Sequence, residues 1–292
     1  MEKIILTSDS GVDPVDTEYM VPGLLIRSDG KNYRDVTEID SAEVLRQSNE
    51  EHFLFKTSSP MYSDYLNVFK EAVSKANDVI HLSMGYGISQ GSVNLSTNVA
   101  NEVGNGHIRV VDSMSGATGG TLIWLYAKHL IFEGYDYETI MDKLLLFRKY
   151  AQTSFFVPNP VGFKRSGRDK SEMCLKDRAM VVGAQALKMA GVKFRVDFND
   201  DGNLYTKNTM IGKSSSKAKQ MIKGIVNDDT IYEYDNQYAV LGTVLPGEVD
   251  MKEIEDYLKN YFQQVVRQDI NGVVAAYGSK DLIGLSLVKK MK

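Results

Sequence analysis

Over the first half of the chain, short apolar runs alternate with segments of helical spacing. The run Lys3-Ile-Ile-Leu ends in Thr-Ser-Asp-Ser, as a buried parallel strand does where it meets its loop. Tyr19 to Ser28 reads as a second strand, with Gly30 in the turn after it. Ser41 to Asn49 has helical spacing with Ser41 as N-cap, and His52 to Lys56 reads as a short strand. Ser63 to Lys75 puts Tyr65, Phe69 and Val73 on one helical face. The order continues as strand (Asp78 to Ser83), helix (Ser92 to Val103), strand (His107 to Ser113) and two helices (Thr121 to Phe132, Tyr137 to Ala151). Such alternation predicts a parallel sheet with helices on both faces, and ligands in such sheets gather at the carboxyl ends of the strands. Three polar or Gly-rich loops would meet there: Ser8 to Ser10, Ser83 to Gly91, and Ser113 to Gly120.

The rhythm breaks at Phe155-Phe-Val-Pro-Asn-Pro, which places a domain boundary near Thr153. The expectation is an α/β domain over 1–153 and a smaller α+β domain over 154–292. In the second unit, Lys193 to Phe198 and Asn203 to Asn208 flank Asn199-Asp-Asp-Gly, a strong β-hairpin signal. Ser215 to Gly224 and Asp250 to Val266 read as helices, Tyr238 to Val244 and Asn271 to Tyr277 as strands.

Composition narrows the function. A length of 292 residues with 43% apolar content suits two packed domains. The net charge of −4 argues against nucleic acid as a partner, which needs clustered Lys and Arg. The most basic stretch, Lys213 to Lys223, has helical spacing and reads as a solvated face. A lone cysteine, Cys174, excludes a disulfide framework and lacks the neighbours of a catalytic thiol. No signal-like run follows the first residues, and Gly119 to Phe132 is too short and too polar to span a bilayer. These features predict a cytoplasmic protein that is not membrane-embedded.

Catalytic chemistry is thin. The four histidines, His52, His81, His107 and His129, read as structural or surface residues, and no HExxH or Cys/His set is present. Gly85-x-Gly87 and Gly116-x-x-Gly119-Gly120 match no phosphate-loop pattern and leave two readings, close approach to a ligand or tight strand-to-helix turns. Thr57-Ser58-Ser59-Pro60 follows the strand ending at Lys56. Its hydroxyls and amides suit either a carboxylate or the N-cap of the next helix, through Ser59 or Ser63.

Together these segments resemble the DegV family of bacterial fatty-acid-binding proteins. The marks run in order: Thr7-Ser8-Asp9-Ser10-Gly11-Val12-Asp13, Tyr33-Arg34-Asp35, Lys56-Thr57-Ser58-Ser59-Pro60, Val111-Asp112-Ser113 with Gly116 to Gly120, Lys164-Arg165-Ser166-Gly167-Arg168, and Asp201-Gly202. The resemblance implies a non-catalytic carrier with no cofactor. Its long-chain fatty acid would lie between the domains, the acyl chain in an apolar tunnel of the first. It also implies a separate fatty acid kinase as partner, faced by Arg168.

Two departures bear on the head group. The family loop L-S-S-x-L-S-G-T reads Leu82-Ser83-Met84-Gly85-Tyr86-Gly87-Ile88-Ser89, so family serines fall on Met84 and Gly87, leaving Ser83 and Ser89 as replacements. The closing His-x-G loop reads Ala276-Tyr277-Gly278-Ser279-Lys280, with Tyr277 near the histidine's place. The expected fatty-acid site is therefore Thr57, Ser83, Met84, Gly87, Ser89, Tyr277 and Gly278. A lost hydrogen bond to a charged group costs about 1.5–3 kcal/mol. Burial gains about 0.8 kcal/mol per CH₂, so apolar binding is expected to survive with an altered head-group preference. The alternatives are a divergent relative that binds another amphiphile or serves as a lipid-free interaction protein, and a phosphotransfer component using His81.

Overall fold

The computed structural model describes residues 3–159, 187, 189–227, 234–245, 247, 249–278 and 280–290. Its first sheet has strands β1 (Ile4–Asp9), β2 (Met20–Val21), β6 (Asp78–Ser83) and β7 (Ile108–Asp112), in the order β2-β1-β6-β7 and all parallel. Helices α2 (Tyr62–Lys75) and α3 (Gln90–Val103) cover one face through Tyr65, Phe69 and Val99. Helices α4 (Thr118–Phe132) and α5 (Tyr137–Phe147) cover the other through Leu122, Ile123, Ile140 and Leu144. Helices on both faces are what the alternating pattern predicts.

The expected strand from Tyr19 to Ser28 is two strands in two sheets. After β2 the chain turns at Pro22-Gly23 and enters β3 (Leu24–Arg27), which joins β4 (Asn32–Arg34) and β5 (Phe55–Ser58) in a separate antiparallel sheet, ordered β4-β3-β5. Thr57 thus lies inside a strand rather than in the loop after one. Asp40, not Ser41, caps α1 (Ser41–Asn49) by accepting the Glu43 amide. No side chain caps α2, which removes the N-cap reading of Ser59 and Ser63.

A six-stranded sheet forms the second unit, ordered β10-β9-β8-β13-β11-β12. Its strands are β8 (Ala151–Val157), β9 (Val192–Phe198), β10 (Leu204–Ile211), β11 (Tyr234–Thr243), β12 (Gln264–Asp269) and β13 (Ile283–Lys289). Strand β8 begins just before the expected junction, so Thr153 lies within it. The predicted hairpin is β9–β10, antiparallel about Asn199 to Gly202. Helices α6 (Ser214–Val226) and α7 (Met251–Leu258) bury Met221, Ile222, Ile254 and Leu258 on this sheet. The predicted helix to Val266 stops early, because Gln264 to Asp269 pair with β11.

Helix α4 belongs to both cores. Its Leu122, Ile123 and Trp124 pack with Ile80 and Leu82 of the first sheet and with Val240 and Val288 of the second. A helix sandwiched between two sheets must be apolar on nearly all sides, and this one is. The apolar run that looked too short for a membrane is the helix packed between the two sheets. No helix among the described residues is long and apolar enough to cross a membrane.

Candidate functional site

The parallel register gathers the polar strand ends. Thr7 pairs with His81, and Ser83 with Asp112. Buried Asp9 is the hub: its Oδ1 accepts from the Tyr65 hydroxyl at 2.6 Å, and its Oδ2 accepts from Ser83 Oγ at 2.9 Å and the Met84 amide at 2.8 Å. His81 Nε2 stands 3.3 Å from Asp9 Oδ1, while its Nδ1 shares a 2.9 Å hydrogen bond with Thr7 Oγ1. The rings of Tyr65 and Phe69 meet His81 edge-on. Burial, and then the Asp9 charge, push the Tyr65 hydroxyl well above its ordinary pKa.

This cluster holds Ser, His and Asp, but both Ser83 and His81 address the carboxylate. A nucleophile–base relay needs Ser and His to face each other. His81 is 0% exposed, so a phosphoryl donor cannot reach it. No group of His, Cys, Asp or Glu among the described residues is arranged to hold a metal ion.

The loop after β6 folds back on its own donors. Gly85 N donates to Ser115 O at 2.7 Å, Tyr86 N to Asp112 Oδ1 at 2.9 Å, and Ile88 N and Ser89 N to Gly85 O at 3.0 and 2.9 Å. Ser89 Oγ bonds Ser92 Oγ at 2.7 Å. The Met84 side chain lies over Gly11, where an added Cβ would come within 2.7 Å of its Sδ. At Gly116 a Cβ would lie 3.0 Å from Ile88 Cδ1. Gly87 is pressed by the β9–β10 hairpin: a Cβ there would sit 2.4 Å from Gly202 O. The group that closely approaches Gly87 is thus protein backbone rather than a ligand.

Across the seam between the two units, Thr57 Oγ1 and the Tyr277 hydroxyl share a 2.6 Å hydrogen bond. Thr57 is placed by its pairing opposite Leu25 in β3. Tyr277 is placed by a short helix, α8 (Gly272–Ala275), where the sequence pattern predicts a strand. The apolar run Val273-Val274-Ala275-Ala276 looks strand-like, but Ala275 N donates to Asn271 O and Ala276 N to Gly272 O, closing helical turns.

Helix α8 is docked on the first unit by carboxylates. Asn271 N donates to Asp13 Oδ1 at 3.1 Å and Gly272 N to Asp35 Oδ1 at 2.8 Å. Ser10 Oγ donates to Asp35 Oδ2 at 2.7 Å, and Asn271 Nδ2 to Ser10 O at 2.8 Å. Val273 fills the space left by Gly11 and Gly23. Burial pushes the Asp35 carboxyl up to about 6. Burial also pushes Asp13 well up; the Asn271 amide opposes that, and the Asp35 and Asp269 charges add to it. A second stitch is a buried hydroxyl string: Ser115 to Thr153 at 3.2 Å, Thr153 to Ser286 at 2.9 Å, and Ser286 to Thr118 at 2.8 Å.

Of the residues expected at the head group, the structure brings Thr57 and Tyr277 together. Ser83 and the Met84 amide turn to Asp9, Ser89 to Ser92, and Gly87 to the hairpin. Gly278 is packed by Leu282, which a Cβ would meet at 2.5 Å. Arg168, Cys174 and the segment Lys164 to Arg168 lie outside the described residues. Asp13 and Asp35 were visible as motif residues without a role; nothing in the pattern marked Asn271. A cleft of about 440 Å³ beside α1 is lined by Asp40, Glu43, Arg46 and Lys280, walls too charged for an acyl chain.

A family profile described as "Uncharacterised protein, DegV family" matches residues 16–290. The chain belongs to the DegV family. A DegV domain-containing protein of Staphylococcus aureus (strain COL) is 23% identical, over 99% of this chain and 100% of the relative. Among solved structures, a DegV family protein from Thermus thermophilus, described for its fatty acid binding, superposes with TM-score 0.76 at 22% identity, covering 99% of this chain and 100% of that one. The Streptococcus pneumoniae Fatty Acid Kinase (Fak) B3 protein, loaded with linoleic acid, gives 0.79 at 16% identity, with coverage of 99% and 100%. At these identities the likeness establishes that the DegV fold extends over nearly the whole chain.

Proposed function

We propose that this DegV-family chain binds a long-chain fatty acid between its two domains and presents it to a separate fatty acid kinase, without catalysing a reaction itself. The observation that carries the reading is the Thr57–Tyr277 pair, two hydroxyls meeting across the seam at 2.6 Å. A hydroxyl pair drawn from two domains recognises a polar head group only when the domains are closed, which suits a carrier. The domains are 1–153 and 154–292. Thr57 and Tyr277 hold the head group; Ser83, Met84, Gly87, Ser89 and Gly278 shape the walls around it. The acyl chain enters the first domain, and Arg168 faces the kinase. Relatives that carry linoleic acid or bind fatty acid on the same fold support this reading.

Energetics favour it as well. Burial of acyl methylenes, at about 0.8 kcal/mol each, outweighs the loss of one or two head-group hydrogen bonds. The test is organic extraction of the purified protein and mass spectrometry, beside Thr57→Ala. The expected result is a stoichiometric fatty acid, reduced in the variant. An empty extract, with no uptake of added palmitate or oleate, refutes the carrier.

A further inference from the structure

We infer that the seam holds its ligand's head group uncharged, as a neutral carboxylic acid or equally as an alcohol of the same chain length; the inference rests on the carrier reading above. An anionic carboxylate in a buried site needs several donors or a cation. Among the described residues, the site supplies few of either. Between Ser83 and Ser89, the amides of Met84, Gly85, Tyr86, Ile88 and Ser89 and the hydroxyls of both serines have partners within the protein; the exception is the Gly87 amide, at a position pressed by the β9–β10 hairpin. Where hydroxyls could have reached the seam, this loop instead turns Met84 and Ile88 onto Gly11 and Gly116.

The hydroxyls of Thr57 and Tyr277 have only each other as polar partner among the described residues. Among the described residues, most charged groups on the surrounding elements are engaged elsewhere. On β3 and β4, Arg27 bonds Asp29 and Gln47, and Arg34 bonds Glu38 and Asp64. On α1, Glu43 bonds Arg46 and Gln47. Lys56, next to Thr57 on β5, is exposed. Lys280, beyond α8, lines the charged cleft with Asp40 and Glu43. Beneath α8 lie two buried carboxyls, Asp13 and Asp35, which bring no cation to the seam.

Two hydroxyls suit a neutral acid. A carboxylic acid has one O–H to donate and a carbonyl oxygen to accept, and each protein hydroxyl can do either. An alcohol offers the same two functions from one oxygen. On binding, a fatty acid anion takes one proton from solvent and enters as the neutral acid.

The experiment is equilibrium dialysis of the delipidated full chain with radiolabelled palmitate and radiolabelled 1-hexadecanol, both delivered from cyclodextrin. An aliphatic carboxyl ionises near pH ~4.3, so a site that takes only the neutral acid weakens about tenfold for each pH unit between about 6.5 and 8.5. The expected result is a palmitate Kd that climbs in this way, a hexadecanol Kd that does not move, and hexadecanol the tighter ligand at high pH. Tyr277→Phe should raise both Kd values a fewfold. A palmitate Kd flat with pH overturns the inference, whichever ligand is tighter; the head group is then held as an anion, with the first amides of α3 as the remaining donors. A climb shared by both ligands also overturns it, since the protein would be titrating. Failure of both ligands to bind at every pH refutes the carrier reading itself.

Discussion

Thr57 and Tyr277 stand 220 residues apart in sequence and share one hydrogen bond of 2.6 Å between their hydroxyls. Because each is the other's partner, their contributions to ligand binding are coupled. Thr57→Ala or Tyr277→Phe should each weaken palmitate binding by about 3- to 10-fold, the value of one hydrogen bond. The double variant should cost less than the product of the two, since the second change removes a partner already lost. Calorimetric Kd values for the four proteins close the cycle. Strict additivity would mean that the hydroxyls act on the ligand independently.

Asp9 is a structural hub, and its loss is expected to reach stability first. Removal of its carboxylate strands the Met84 amide and leaves the Tyr65 and Ser83 hydroxyls only long 3.4 Å bonds to the Ser92 and Met84 carbonyls. Each stranded buried donor costs about 1–3 kcal/mol. Asp9→Ala should therefore destabilise the protein by about 3 kcal/mol or more in urea unfolding. Asp9→Asn, which keeps one carbonyl oxygen, should cost less. A loss under about 1 kcal/mol for Asp9→Ala would show that water replaces the carboxylate.

Much of this was legible in the chain, and the exceptions share a cause. The parallel sheet was readable because β1, β6 and β7 are buried apolar runs that end in Asp9, Ser83 and Asp112, with helices of clear period between them. The β9–β10 hairpin was readable because Asn199 to Gly202 is turn chemistry. Thr57 stood out by its place in a hydroxyl-rich segment after an apolar strand and Tyr277 only through the family resemblance, and nothing local paired them, since their bond spans 220 residues. The split between β2 and β3 was not legible: Tyr19 to Ser28 has strand character throughout, and pairing partners far away decide which half joins which sheet. Helix α8 was misread for the same reason. Its Val-Val-Ala-Ala sequence suits a strand, and docking on Asp13 and Asp35 settles it as a helix.

Those carboxylates predict a pH dependence. Burial raises the Asp35 carboxyl from 3.8 to about 6, so the folded protein holds a proton there that the unfolded chain releases. Where the native state binds more protons, stability falls as pH rises. Its contribution is favourable below about pH 4 and is lost progressively as pH climbs through about 6, with a total of about 2–3 kcal/mol. Asp13, raised in the same direction, adds to the trend. Urea titrations at several pH values should show the wild type losing more stability from about pH 5 to pH 7 than Asp35→Asn does. Equal slopes would place the Asp35 carboxyl near its ordinary value.

Two glycines in helices should respond in opposite directions to the same change. Gly120 lies in α4 where a Cβ would stand 2.2 Å from Val12 Cγ1, 2.6 Å from Val12 O and 2.7 Å from Val12 Cα. Backbone on one side and a helix packed by both sheets on the other leave no room to relax. Gly120→Ala should cost about 1–3 kcal/mol, as overpacked cores do. Gly224 lies inside α6, and nothing stands within 4 Å of the position its Cβ would take. There alanine brings only its better helix propensity, and Gly224→Ala should stabilise the protein by about 1 kcal/mol. Thermal midpoints of the two variants against wild type should therefore fall on opposite sides. A neutral Gly120→Ala would mean that α4 can shift away from the Ser10–Val12 turn, and the shared core of the two domains would be looser than its packing indicates.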